Sequence, residues 1–406
     1  MIGNHRRFAL AYVTANIGAF LCFIPLISLL LPRRMAELDP TNSLVATSWA
    51  LLTGAIAASV AHILAGAISD RVMARFGTRL PMIALGLIAT MAALPFLASA
   101  TTVTHLILAF ALFQACFNMM FAPLGALVTD HVADGDKGRM FGFLNLALPV
   151  GQGAIFVIAQ SGVTSMGTIL SLIALVALLC LLPLLLDPQL WRGRSPVGEA
   201  AKEAPPLVHP YQRTVSLDFV RAWGARLLVQ CASVAVGSYL FLFLTGLEGS
   251  GTGQGSASHW YGQLSLLAAV LGVIAGWTIG HLSDRSGRRR PFLWLSALAV
   301  AGGCAVMASA EGRLQLDLGF GLFAIGLSAF LTIDGALVAQ LVGSSPNRAF
   351  LLGILNLTNT LSGVIIPAIT IAMGQLAGAT AIWLFALSAA GALVAAGLAL
   401  TIRSIE

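Results

Sequence analysis

Apolar residues along this chain fall into about twelve runs separated by short polar turns. Most runs approach the roughly 20 residues that carry a helix across a bilayer core. They occupy 8–31, 45–67, 80–98, 103–129, 139–160 and 163–185, then 218–246, 260–282, 291–310, 316–341, 350–373 and 377–401. None shows the alternation of a barrel strand, and backbone in hydrocarbon must satisfy its own hydrogen bonds, so each run is predicted to be helical. The pattern thus predicts an all-α polytopic membrane protein with twelve transmembrane helices. One polar interval, 187–217, is longer than the others and carries Pro188, Arg192, Arg194, Glu199, Lys202, Glu203, Pro205 and Pro206. It lies mid-chain and predicts a linker between an N-terminal six-helix bundle, 1–186, and a C-terminal one, 218–406.

Composition agrees with this picture. The chain is 58% hydrophobic with a mean hydropathy of +0.91, too apolar for a soluble domain that needs polar cover. The first run follows His5-Arg6-Arg7, as a signal peptide would, but no cleavage region precedes Pro32-Arg33-Arg34 and eleven similar runs follow, so a retained first span is expected. Cys22, Cys116, Cys180, Cys231 and Cys304 all lie inside apolar runs without metal-ligand spacing and read as small packing residues.

Charge sets the expected orientation. Of 22 Lys and Arg, only Arg33, Arg34 and Arg313 fall on the side opposite the termini, so both termini are expected to be cytoplasmic in the cell inner membrane. The net charge of +6 is spread over short turns and is read as a topology signal. It gives no reason to expect a nucleic-acid partner. A monomer in the lipid bilayer is expected.

The scarce charge is concentrated in a passage that occurs twice. Gly66-Ala67-Ile68-Ser69-Asp70-Arg71 continues to Gly77-Thr78-Arg79-Leu80-Pro81, and Gly280-His281-Leu282-Ser283-Asp284-Arg285 continues to Gly287-Arg288-Arg289-Arg290-Pro291. The first copy has four extra residues within Val72–Phe76. A second internal match pairs Gly125-Ala126-Leu127-Val128-Thr129-Asp130, Arg139 and Asn145 with Gly335-Ala336-Leu337-Val338-Ala339-Gln340, Arg348 and Asn356. Two halves repeating in the same direction are expected to be related by an axis along the membrane normal.

The doubled Gly, Asp-Arg, Gly and Arg pattern resembles the signature of the major facilitator superfamily. Around Ser283-Asp284-Arg285 and Gly287-Arg288-Arg289-Arg290-Pro291-Phe292 the chain is similar to glycoside-cation and sucrose-type symporters. The resemblance implies two six-helix bundles that rock about a central site. It also implies a cytoplasmic gate at Asp70, Arg71, Arg79, Asp130, Arg139, Asp284, Arg285 and Arg289. A static, solvated charge cluster is the alternative for these residues.

Polar groups inside the runs are the remaining candidates. Asp334 lies about seven residues from the cytoplasmic end of span ten, at about a third of membrane depth, where a carboxylate needs water, a cation or an Arg. It is either an ion-coupling residue or half of a structural pair with Arg226 or Arg348. His62, inside span two, is either a coupling residue or a neutral hydrogen-bonded bridge between helices. Asn16, Gln114, Asn118, Asn145, Gln152, Arg226, Gln230, Tyr239, Gln263, Asn356 and Asn359 are candidates to line a polar substrate cavity, with helix-to-helix hydrogen bonding as the plainer role. Gly151, Gly153, Gly272 and Gly276 are expected to permit close helix contacts.

No phosphate loop, metal-spaced His/Cys group or nucleophile elbow is present in the sequence, so neither an enzyme nor a cofactor is expected. The expected function is secondary active transport of a small polar solute, a sugar or glycoside on the local resemblance, coupled to H⁺ or Na⁺. Proton-coupled efflux of amphipathic or anionic compounds is one alternative, favoured by a cavity poor in amides. A non-transporting membrane receptor or assembly factor is another, favoured by a filled interface between the halves.

Overall fold

The computed structural model describes residues 2–132, 140, 143–144, 146–191, 217–247, 253–342, 348–377 and 381–402. Helices account for nearly all of them: α1 (Ile2–Pro25), α2 (Leu31–Leu38), α3 (Ser43–Phe76), α4 (Leu80–Ala98), α5 (Val103–His131), α6 (Ala147–Gln160) and α7 (Met166–Leu185). A short α8 (Pro188–Trp191) follows, then α9 (Leu217–Leu247), α10 (Gly253–Ser286), α11 (Arg290–Ala308), α12 (Arg313–Val342), α13 (Arg348–Ala377) and α14 (Ala381–Thr401). Among the described residues, eleven helical segments are long and apolar enough to cross a membrane, and α6 is a shorter apolar helix. The protein is an all-α polytopic membrane protein.

The first crossing segment, Arg6–Leu38, joins α1 to α2 through a π-helical turn at Leu26–Leu30. Pro25 immediately precedes that turn. Proline offers no N–H to the helical ladder, which explains why the hydrogen-bond register changes beside it.

Elsewhere the helices outrun their apolar stretches, most clearly α3 and α10 at 34 residues each. Both end on the repeated charged passage. Gly77 (φ 70°) and Gly287 (φ 64°) stop them in a left-handed conformation that glycine adopts without a Cβ clash. Both following helices carry proline at their start, Pro81 and Pro291, where a missing N–H does no harm. The four extra residues of the first copy are absorbed as one further turn of α3.

Packing divides the chain into two compact units. The first holds Met1–Leu26, Thr53–Ala154 and Ser161–Gln212. The second holds Ile27–Leu52, Ile155–Gln160 and Arg213–Glu406. In the first unit α4 packs on α5 and α7, and α1 packs on α7. In the second, α11 packs on α12 and α14, and α9 packs on α14. The same three pairings therefore occur in each half of the chain, as an internal duplication requires. The second unit adds contacts of α10 with α12, α13 with α9, and α2 with α9.

Small residues set the tightest crossings. A Cβ at Gly86 would lie 2.4 Å from the Met120 backbone nitrogen, and one at Gly303 would lie 2.5 Å from that of Phe323. These glycines join α4 to α5 and α11 to α12, the matching helix pairs of the two halves, at different points along them. Of the glycines expected at helix contacts, Gly151, Gly272 and Gly276 face neighbours within 4 Å, whereas Gly153 faces open space. On α5, Phe110, Phe113, Phe117 and Phe121 form a ladder that continues onto Phe20 and Phe23 of α1. The five cysteines are free thiols, with Cys22 and Cys304 buried.

Candidate functional site

The repeated charged passages give the first cluster. Arg79 sits in the turn before α4 and is 9% exposed. Its Nη1 donates to Asp70 Oδ1 at 2.6 Å and to Ser69 Oγ at 3.1 Å, and its Nε donates to Asp130 Oδ2 at 2.6 Å. One guanidinium thus ties the end of α3 to the end of α5. Burial would lower the Arg79 pKa, but the two carboxylates outweigh it and hold the pKa above its ordinary value. Arg71, the sequence neighbour of Asp70, is exposed on the helix surface.

The second copy is looser. Arg289 Nη2 donates to Asp284 Oδ1 at 3.2 Å, and Asp284 and Arg285 are both exposed. The position matching Asp130 is Gln340, whose side chain lies outside the described residues. Nearby basic residues serve the end of α14: Arg221 donates to the carbonyl of Thr401 at 2.9 Å, and Arg290 donates to that of Leu400. These last carbonyls have no partner within the helix, and a cation also suits the negative end of its dipole.

The second cluster lies within the span region of the second unit. Arg226 is nine residues into α9 and Asp334 eight residues before the end of α12, each about 12 to 14 Å along its helix from the Arg-rich end. Arg226 Nη1 donates to Asp334 Oδ2, and its Nε donates to Thr358 Oγ1 on α13 at 3.1 Å. The Asp334 side chain is 1% exposed and that of Arg226 16%. One turn further along α9, Gln230 Nε2 donates to Asn359 Oδ1 at 2.7 Å. Below the pair, Phe219 and Leu355 pack with Trp223 and Ile354, and Trp223 Nε1 donates to the Ile354 carbonyl at 2.8 Å. Five polar residues on three helices are therefore gathered, and Asp334 and Thr358 are the most deeply enclosed of them.

A third cluster lies in the first unit. His62 Nδ1 is 3.1 Å from Asn118 Oδ1, joining α3 to α5, and Asn118 Nδ2 donates back to the Gln114 carbonyl at 2.9 Å. Gln114 is 5% exposed, and its side-chain Oε1 has no hydrogen-bond partner among the described residues.

The other candidates separate. Asn16 is buried and donates to the Tyr12 carbonyl in its own helix at 2.9 Å. Gln152 is half-buried on α6. Tyr239 is fully buried and its hydroxyl lies 2.7 Å from that of Ser48. Gln263 accepts from Arg313 at the end remote from the Arg-rich turns. There Arg313 also stacks over Trp260, whose Nε1 donates to Asp317 Oδ1 at 2.7 Å. A cavity of about 240 Å³ lined by Leu247, Trp260, Glu311, Gly312 and Arg313 opens at that end. It is about 30 Å along α9 from Arg226. Arg139 and Asn145 lie outside the described residues, as do the side chains of Asn356 and Arg348.

Two participants were missed from sequence, Thr358 and Ser48. Both are single hydroxyls in apolar runs that contain many, and only the partner across the helix interface distinguishes them. Among the described residues, no group of three or more His, Cys, Asp or Glu gathers as metal ligands.

Comparison with solved structures gives three similar folds, each at 14% identity. A peptide transporter, POT, in complex with sulfate matches with a TM-score of 0.70, covering 97% of this chain and 94% of that one. A D-xylose-proton symporter matches with a TM-score of 0.72, covering 98% of both chains. The nucleoside transporter NupG matches with a TM-score of 0.68, covering 97% of this chain and 100% of that one. At such identity these likenesses carry the fold alone. No curated protein matches the sequence. Residues 8–310, well over half of the chain, match the family model for the Major Facilitator Superfamily. The chain belongs to that superfamily, whose members carry out secondary active, ion-coupled transport of small solutes by alternating access.

Proposed function

We propose that this protein is a proton-coupled carrier of a small polar solute, with Asp334 holding the coupling proton and Arg226 as its counter-ion. The observation that carries the reading is the Arg226–Asp334 pair, enclosed among apolar helices and bonded onward to Thr358. A buried charge that loses its partner is strongly destabilised, so the pair opens readily only if the carboxylate first becomes neutral. Protonation supplies that, and links ion binding to a change of contacts between α9 and α12. The His62–Asn118 bridge is the second coupling candidate. Its exposure and single neutral partner favour a structural role.

In this reading the chain has twelve spans, with α6 in the fifth, and both termini face the cytoplasm of the inner membrane. The Arg79 cluster acts as a latch between the ends of α3, α4 and α5. Gln230 and Asn359 stand beside the pair as solute ligands. A sugar or glycoside is the cargo favoured by the local resemblance at Ser283–Phe292, and efflux of an anion is the second reading, favoured by the cation at Arg226.

Reconstitution in liposomes tests this. Uptake driven by an inward proton gradient is expected, with no response to a sodium gradient. Asp334→Asn is expected to lose more than tenfold of gradient-driven accumulation while keeping exchange of solute across the membrane. Accumulation by Asp334→Asn at the wild-type level would remove Asp334 from the coupling step.

A further inference from the structure

The cluster around Arg226 hides its charged acceptor and shows its charged donor. Asp334 is 1% exposed, whereas Arg226 is 16% exposed, with Gln230 one turn along α9 and Asn359 next to Thr358 on α13. A neutral sugar is held best where a carboxylate can accept from its hydroxyls, and here the carboxylate is sealed behind the guanidinium. A ligand arriving at this face meets a guanidinium first, and a planar guanidinium matches the two oxygens of a carboxylate.

We infer that the solute is a small organic monoanion whose carboxylate takes the place of Asp334 on Arg226 when Asp334 is protonated. This rests on the proton-carrier reading above and names the solute class for the same site. The charges balance. Asp334 gains one proton and becomes neutral, and the solute carboxylate supplies the negative charge that Arg226 loses. The empty site with its internal pair and the loaded site with proton and monoanion carry the same net charge, so transport is electroneutral. A neutral solute carried with one proton would instead move one charge per cycle.

Among the described residues, the groups facing Asp334 leave this exchange to one partner. From α9 comes Arg226, and from α13 the Thr358 hydroxyl that Arg226 holds. Against α12, α10 presents Gly276 and Gly280 to Ser328 and Thr332, and its Asp284 and Arg285 lie beyond, at the Arg-rich end. From α11, Ser296 meets Gly326, while Arg290 is engaged with Leu400 at the helix end and the Cys304 thiol lies two turns past Ser296.

The test uses the purified full chain, first by thermal shift with benzoate, lactate and gluconate against xylose and a methyl glucoside, at pH 5.5 and 8. At least one monocarboxylate is expected to raise the unfolding midpoint at pH 5.5, and the neutral sugars are not. In liposomes, uptake of that anion under a proton gradient is expected to be unchanged by an imposed potassium diffusion potential. Arg226→Lys is expected to raise its KM at least tenfold, and Asp334→Asn to keep anion binding while losing its dependence on pH. Stabilisation by a neutral sugar alone, by none of the five compounds, or uptake that follows the imposed potential would overturn the inference. If the sugar is carried and Asp334→Asn uncouples it, the proton-carrier reading survives and the anion falls. If the anion moves electroneutrally with Asp334→Asn still coupled, the anion survives and the role of Asp334 falls.

Discussion

Arg79 illustrates how much rests on one side chain when charge is rare. Its guanidinium holds two carboxylates of unequal exposure, Asp130 at 17% and Asp70 at 69%. Removing it takes from Asp70 and Asp130 the guanidinium they share, and Asp130 is the more enclosed of the two. Arg79→Gln is therefore expected to destabilise the first unit by about 3 kcal/mol. The matching pair in the second copy joins an exposed Asp284 to Arg289, and Asp284→Asn is expected to cost less than about 1 kcal/mol. Unfolding midpoints of the two variants in detergent check the contrast, and equal losses would contradict it. The Arg79 pKa is raised, so its share of stability is present at neutral pH and is lost only as pH climbs into strong alkali through that raised value. The sequence made Asp70, Arg79 and Asp130 visible because Asp and Arg stand out in apolar surroundings. It did not say that Asp70 takes Arg79 rather than adjacent Arg71. Successive helix residues point about 100° apart, so the neighbour in sequence is not the neighbour in space.

At the scale of the helix, the apolar runs located the elements well, and the repeated Gly-Arg-Pro turn located the ends of α3 and α10. The four extra residues of the first copy are nearly one helical period, which keeps Asp70 on the face that Arg79 reaches. Helix contacts were less legible. The chain has 42 glycines, and whether one of them matters depends on what faces it. Gly86 and Gly303 meet backbone atoms that cannot step aside, while Gly153 meets nothing within 4 Å. Gly86→Ala and Gly303→Ala are accordingly expected to destabilise by about 1 to 3 kcal/mol through overpacking, and Gly153→Ala to be neutral or slightly stabilising. Thermal unfolding and the monodisperse fraction on size exclusion compare the three. A Gly153→Ala loss as large as the others would show that its open side is filled in the working protein. For α3, hydropathy could not tell a protein-facing from a lipid-facing apolar residue, since Ile63 is 73% exposed and Ala65 is 3% exposed in the same run.

At the scale of the whole molecule, the duplication could be read from the sequence, but the grouping of segments into compact units could not. Ile27–Leu52 and Ile155–Gln160 precede the mid-chain linker, yet they belong to the same unit as Arg213–Glu406. Within that unit Ser48 and Tyr239 are both fully buried and their hydroxyls lie 2.7 Å apart, although 191 residues separate them. Gln160 likewise donates to the His259 carbonyl at 3.2 Å. On the proposed reading, in which the two halves of the sequence rock against one another, bonds that link residues from opposite halves are expected to break in each cycle. On that reading Tyr239 is expected to act as a catch, and a direct role as solute ligand would require it to be uncovered in another state. Losing one such hydrogen bond is worth about 1 kcal/mol, which corresponds to about a fivefold shift between two states. Tyr239→Phe keeps the ring and removes the bond to Ser48, together with the hydroxyl's bond to Thr370 within the second half. In a background with the five native cysteines replaced by alanine, Leu51→Cys reports on this packing, because Leu51 is buried and lies about one turn along α3 from Ser48, on the same face. Its labelling by a membrane-impermeant maleimide is expected to quicken about fivefold when Tyr239→Phe is added, with the unfolding midpoint nearly unchanged. Labelling at the same rate in both backgrounds would mean that the bond does not hold this state closed.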